Sequence, residues 1–123
     1  LGRCTADGSE PDDEEAARLL RAVLRVDVRD AVLFAVSQAT VEAYLRTWSR
    51  LLRRAPEPQV PEAAVITAFC AWQAGHGALA WCALDRCLDT DPGHPLATCL
   101  AECLSRAVPP TAWEEVAAES HSA

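Results

Sequence analysis

The stretch P-E-A-A-V-I-T-A-F-C-A-W-Q-A-G-H-G-A-L-A-W-C-A-L-D-R-C-L-D-T-D-P-G-H-P-L-A, Pro61 to Ala97, decides the fold. From Glu62 to Ala74 nearly every residue is apolar, on all sides of a helix rather than on one stripe. A helix without a polar face belongs at the centre of a bundle, and thirteen residues are far too few to cross a bilayer. Gly75 suits the left-handed position that closes a helix, and Gly77 lets the next begin at once, with His76 exposed at the corner between them. The second helix presents Ala80, Leu84, Cys87 and Leu88 on one face, and Asp91-Pro92-Gly93 stops it. Pro95 opens a third helix carrying Leu96, Cys99, Leu100, Cys103 and Leu104 within His94–Ala107, and Pro109-Pro110 ends it. Thr111 and Glu114 have capping-box spacing and start a short last helix with Trp113 and Val116.

Working back toward the N-terminus, Pro56, Pro58 and Pro61 form a stiff linker over 56–61, the strongest internal boundary signal. Before it, Val41, Tyr44, Leu45, Trp48, Leu51 and Leu52 repeat at helical spacing, with Thr40 as the candidate cap. Arg46, Arg50, Arg53 and Arg54 cluster toward the end of that helix. They are placed either for an anionic partner or simply to interact with the negative end of the helix dipole. A shorter helical pattern uses Val28, Val32, Ala35 and Val36. The first uses Ala16, Leu19, Leu20, Val23 and Leu24. Six acidic residues lie between Asp7 and Glu15, part of them in that helix's first turn, where carboxylates and Pro11 both fit. Residues 1–10 read as a flexible acidic leader and 119–123 as a frayed tail. Between them, 11–118 read as a single helical domain, divided by the linker into 11–55 and 62–118.

The chain has 123 residues, of which 24 are Ala, and only 6% are aromatic. That composition favours closely packed helices, since Ala is the strongest helix former. All eleven basic residues are Arg, and there is no Met, so Leu1 reads as the start of a fragment or processed product. A net charge of −7 argues against nucleic acid, whose binding rests on neutralising phosphates. No membrane span or signal layout is visible, which leaves a cytoplasmic location as the default expectation.

Six Cys and three His do not assemble into a motif. Cys99 and Cys103 are one turn apart, with Cys82, Cys87, His76 and His94 near in sequence, yet the paired spacing that zinc takes is missing. Cys87, Cys99 and Cys103 fall on apolar stripes, where thiols act as small hydrophobes. Asp85, Asp89 and Asp91 read as a solvated face beside Arg86. The expectation is therefore no catalytic residue, no metal and no cofactor.

Two resemblances attach to these residues. Ala80, Leu84 and Cys87, with Pro92 following, resemble the second helix of a tetratricopeptide repeat. Ala68 and Ala71 stand where the first helix would have Gly and Tyr, and no second copy exists, so the implication is one hairpin and not an array. More closely, A-W-Q-A-G-H-G-A-L-A (Ala71–Ala80), A-L-D-R-C-L (Ala83–Leu88), D-P-G-H-P-L-A (Asp91–Ala97) and V-P-P (Val108–Pro110) with Trp113 resemble the C-terminal half of the actinobacterial family called domain of unknown function 4192. V-R-D-A-V (Val28–Val32) and the Trp48–Pro56 stretch fit the same family. His76 stands where that family has an acidic residue between the two glycines, and Cys82, Cys87 and Cys99 replace small or aliphatic residues. The resemblance implies a longer protein with an N-terminal α/β portion and no known reaction.

Together these readings predict an all-α domain of about six antiparallel helices, acting as a non-catalytic interaction or intramolecular packing module. Its partner would be a protein or the missing N-terminal domain, with neither nucleic acid nor membrane involved. The candidate surface is Trp81, His76, Arg46, Arg50, Arg53 and Arg54, and the groove between the Glu62–Ala74 and His94–Ala107 helices is a further lead. The alternative is the helical half of an enzyme or ligand-binding protein, with His76, His94, Asp85 and Arg86 along the interface to the missing part.

Overall fold

The computed structural model describes residues 12–113. They form six α-helices: α1 (Asp13–Ala22), α2 (Val26–Ala35), α3 (Val41–Arg54), α4 (Val60–Gln73), α5 (Gly77–Thr90) and α6 (Pro95–Ser105). A 3-10 turn, Glu57–Gln59, joins α3 to α4, and there is no strand among the described residues. The leader, Pro11, Glu114, Val116 and the tail lie outside the described residues, and so does the course of a last helix beyond Trp113.

Helix α4 is the axis of the fold. Twelve of its fourteen residues are buried, and it packs against α2, α3, α5 and α6. Ala63, Ala64, Ala68 and Ala71 are fully buried on α4, and Ala80 and Ala83 of α5 are buried too. Such small side chains let the two helix axes approach closely. The larger volume comes from α3, where Trp48 and Leu51 are fully buried. The Trp48 indole N–H has no hydrogen-bond partner among the described residues, a local cost set against the apolar area the ring buries.

The helix ends follow local chemistry. Asp12 caps α1, its carboxylate accepting from Glu15 N–H at 2.8 Å, with Asp13, Glu14 and Glu15 in the first turn. Thr40 does sit at the cap of α3, but its hydroxyl turns back to Ser37, accepting from Ser37 N–H at 3.2 Å and leaving the helix uncapped. The expected stripe on α2 also shifts: Val32 and Leu33 are buried while Ala35 is exposed, because α2 meets α4 along one short face. Beyond α6, Val108 and Pro110 strap back over α4. Trp72 Nε1–H donates to Val108 O at 3.2 Å, and Gln73 Nε2–H donates to Pro110 O at 3.4 Å.

Gly75 has φ of +83°, the left-handed region, and a Cβ built there would meet nothing within 4 Å. Its constraint is conformational and not steric. Gly77 begins α5 without that constraint and also has open space. Replacing Gly75 by Ala is expected to destabilise the fold by about 1–2 kcal/mol. Gly77→Ala should be neutral or stabilise by roughly 0.4–1 kcal/mol, since it only restricts the unfolded chain. Urea denaturation of the two variants checks the contrast; equal effects would contradict it.

Candidate functional site: an arginine-lined groove beside a locked histidine

The first place to look for chemistry is the end of the bundle where α2, α4 and α6 meet. His94 is 2% exposed and caps α6, its Nδ1 accepting from Ala97 N–H at 3.2 Å. That bond leaves the ring proton on Nε2, which donates to Glu62 Oε1 at 2.8 Å. The other Glu62 oxygen takes the Arg29 guanidinium at 3.2 Å, and Arg29 also holds Asp30 at 3.0 Å. Burial alone would raise the Glu62 carboxyl. The hydrogen bond from His94 and the hydrogen bond and charge of Arg29 outweigh it and hold the group below its ordinary value of 4.5. His94 was expected at an interface, but Glu62, 32 residues upstream, draws it inside.

Cys87 lies close enough to Glu62 to feel its charge, so a thiol, an imidazole and a carboxylate are neighbours here. They do not form a nucleophilic triad. Burial, then the charges of Glu62 and Asp91, push the Cys87 thiol up to about 12, whereas a nucleophile needs a stabilised thiolate. Both nitrogens of His94 are already used. Cys70 is likewise pushed up to about 12 by burial. Cys103 is raised by burial and by its neighbour Cys99 on the next turn. Cys99 was expected within the apolar stripe; it does lie beside Leu96 and Cys103 along the space between α4 and α6, but its thiol is exposed rather than buried. Among the described residues no group of three or more His, Cys, Asp and Glu could hold a metal ion.

The groove expected between α4 and α6 exists as an apolar cavity of about 200 Å³. The chain's own Trp113 forms part of its lining. That ring stacks on Phe34 at 5.2 Å and meets Phe69 edge-on at 4.9 Å.

A more open groove lies on the other side, between α3 and α5. Its volume is about 430 Å³, and its lining includes Leu52 and Arg53 from α3, Thr67 from α4, and Leu79, Cys82 and Arg86 from α5. Near its start the exposed His76 Nε2 meets Glu42 Oε1 at 3.1 Å, so α3 and α5 run in the same direction with α4 beneath. At 100° per residue, Glu42, Arg46, Ser49 and Arg53 form one row along α3. The structure thus brings His76, Arg46 and Arg53 to one surface and adds Arg86. Arg54 points elsewhere, to an ion pair with Asp13 of α1. Arg50 is half-buried and lies about 60° round α3 from Arg53. Trp81 is 38% exposed, but on the far flank of α5 from Cys82 and Arg86.

Arg46, Arg53 and Arg86 form no ion pair among the described residues. Leu79 is 42% exposed at the groove wall. No described helix is long and apolar enough to cross a membrane.

These features define a small all-α domain with an open groove between α3 and α5. The family profile described as domain of unknown function (DUF4192) matches residues 1–111, and the chain belongs to that family. No curated protein and no solved structure matches the chain significantly.

Two outcomes follow from the geometry at the bundle's end. Because the Glu62 carboxyl is lowered on folding, its contribution to stability is present above about pH 4.5 and is lost as pH falls through the lower folded value. Glu62→Gln should therefore cost about 1–3 kcal/mol near neutral pH, with the difference from wild type shrinking as pH falls below 4.5. Chemical denaturation as a function of pH measures this. Iodoacetamide at pH 8 should modify the exposed Cys82 and Cys99 in the native protein. Cys70 and Cys87 should label only after denaturation, as read by peptide mass spectrometry.

Proposed function

We propose that this chain is a non-catalytic helical interaction module whose working surface is the groove between α3 and α5. The partner is another protein, or another part of a longer chain carrying this domain. The observation that carries the reading is an open groove with an apolar wall at Leu79, bordered by arginines that the fold itself does not pair. Unpartnered apolar surface next to organised charge is what a docking surface needs: the apolar part gives affinity, and the charges give register and specificity. The reactive groups support the same reading. The buried thiols are held protonated, and His94 and Glu62 are committed to structural bonds.

Site-specific photocrosslinking in the full-length protein, in its own cells, tests this. A photoreactive residue at Leu79 should give a discrete protein adduct or an intrachain crosslink. The same residue at Thr98, exposed on α6, should give none. Arg53→Glu should reduce the Leu79 adduct several-fold. Silence at Leu79, or equal yields at Leu79 and Thr98, sinks the reading.

A further inference from the structure

Resting on that reading, we infer that the groove takes an amphipathic helix of a partner protein whose apolar stripe is flanked by Glu or Asp. Three observations specify this occupant. The groove is bounded by two helices running in the same direction over a third, so its long axis follows theirs and accepts another helix lengthwise. Its floor offers no polar recognition, because the Thr67 hydroxyl is spent on Ala63 O at 2.8 Å and is buried. The apolar contacts come from the walls, from Leu52 of α3 and from Leu79 and Ala83 of α5.

The charges are the third observation. Arg18, Arg25, Arg29, Arg54 and Arg106 each hold a carboxylate, whereas Arg46, Arg53 and Arg86 hold none among the described residues; Arg21 and Arg50 also hold none but do not line the groove. Arg46 and Arg53 are seven residues apart on one face, a span of about 10 Å, which matches acidic groups two turns apart on a docked helix. The chain as a whole carries −7, which repels an acidic partner at long range. Screening over about 8 Å at physiological salt leaves the choice to local charge, and the local charge at this groove is positive.

The test uses a fluorescein-labelled amphipathic peptide with Leu at i, i+4, i+7 and i+11 and Glu on both flanks, titrated with the complete chain. The Glu peptide should bind at least about tenfold more tightly than the same peptide with Lys for Glu. The double variant Arg53→Glu, Arg86→Glu should invert that preference, and its far-ultraviolet spectrum and urea midpoint show whether it is folded. Amide chemical-shift changes should fall on α3 and α5, and Leu96→Asp in the other groove should leave affinity unchanged.

Equal affinity for both peptides overturns the inference, as does a preference that survives the charge reversal. Equal binding by a scrambled acidic peptide or a single-stranded oligonucleotide would show that charge alone is read, and also overturns it. Self-association in sedimentation that is abolished by Arg53→Glu would make the occupant a second copy, against the inference. Failure of the peptide together with a positive crosslink at Leu79 refutes the acidic helix and spares the interaction module. Failure of both removes the two together.

Discussion

A helix with no solvent-facing side imposes its demands on everything around it. Val60–Gln73 buries all but two of its fourteen residues, so it is stable only when other elements cover it on every side. Four helices do so, and the Val108–Pro110 strap adds a cover for Trp72 and Gln73. The alanines on α4 and α5 set how near those covers come. The consequence for function is geometric: with α4 as a floor, α3 and α5 become two walls, and any open space between them is a groove with an apolar base.

The Glu62 network performs a different task at one end of the same helix. It joins α2, α4 and α6 through an Arg, a carboxylate and an imidazole, where apolar contacts alone would not choose a unique register. Removing Glu62 leaves the His94 Nε2–H buried without its acceptor, which is the costly case for polar groups inside proteins. Thiol, imidazole and carboxylate side by side can look like a catalytic device. The hydrogen-bond accounting around His94 shows a fastening, with each atom already assigned.

How much of this was legible in the residues depends on whether a feature is local. The central helix was legible because all-round apolar composition needs no partner to interpret it. The left-handed Gly75 was legible because only glycine adopts that conformation freely. Thr40 satisfied the capping rule by type, yet its hydroxyl found Ser37 nearer than the helix. Ala35 was misplaced because helical spacing gives the width of a stripe while its direction depends on where α4 lies, whereas Cys99 keeps its place on the stripe and is merely left exposed. The groove was half legible. The arginines on α3 stood out as a run, but dividing Arg53 from Arg54 required the position of α1. Joining Arg86 to them required α3 and α5 to be neighbours, which neither helix's own sequence encodes. His94 needed Glu62, far away in the chain, before its burial made sense.

The central position of α4 also bears on how the protein is made. Ribosomes deliver the chain from its N-terminus, and a nascent chain ending at Gln73 contains α4 without α5 or α6. Once α4 has left the exit tunnel, one flank of an almost wholly apolar helix has no cover until α5 and α6 follow, although α3 can already lie against it. Residues 77–105 must be added before the exposure ends, about two to six seconds at ordinary elongation rates. The tight corner at Gly75–Gly77 keeps that interval short, because α5 folds back as soon as it emerges. A compact hairpin here shortens the life of a sticky nascent intermediate as well as stabilising the finished fold.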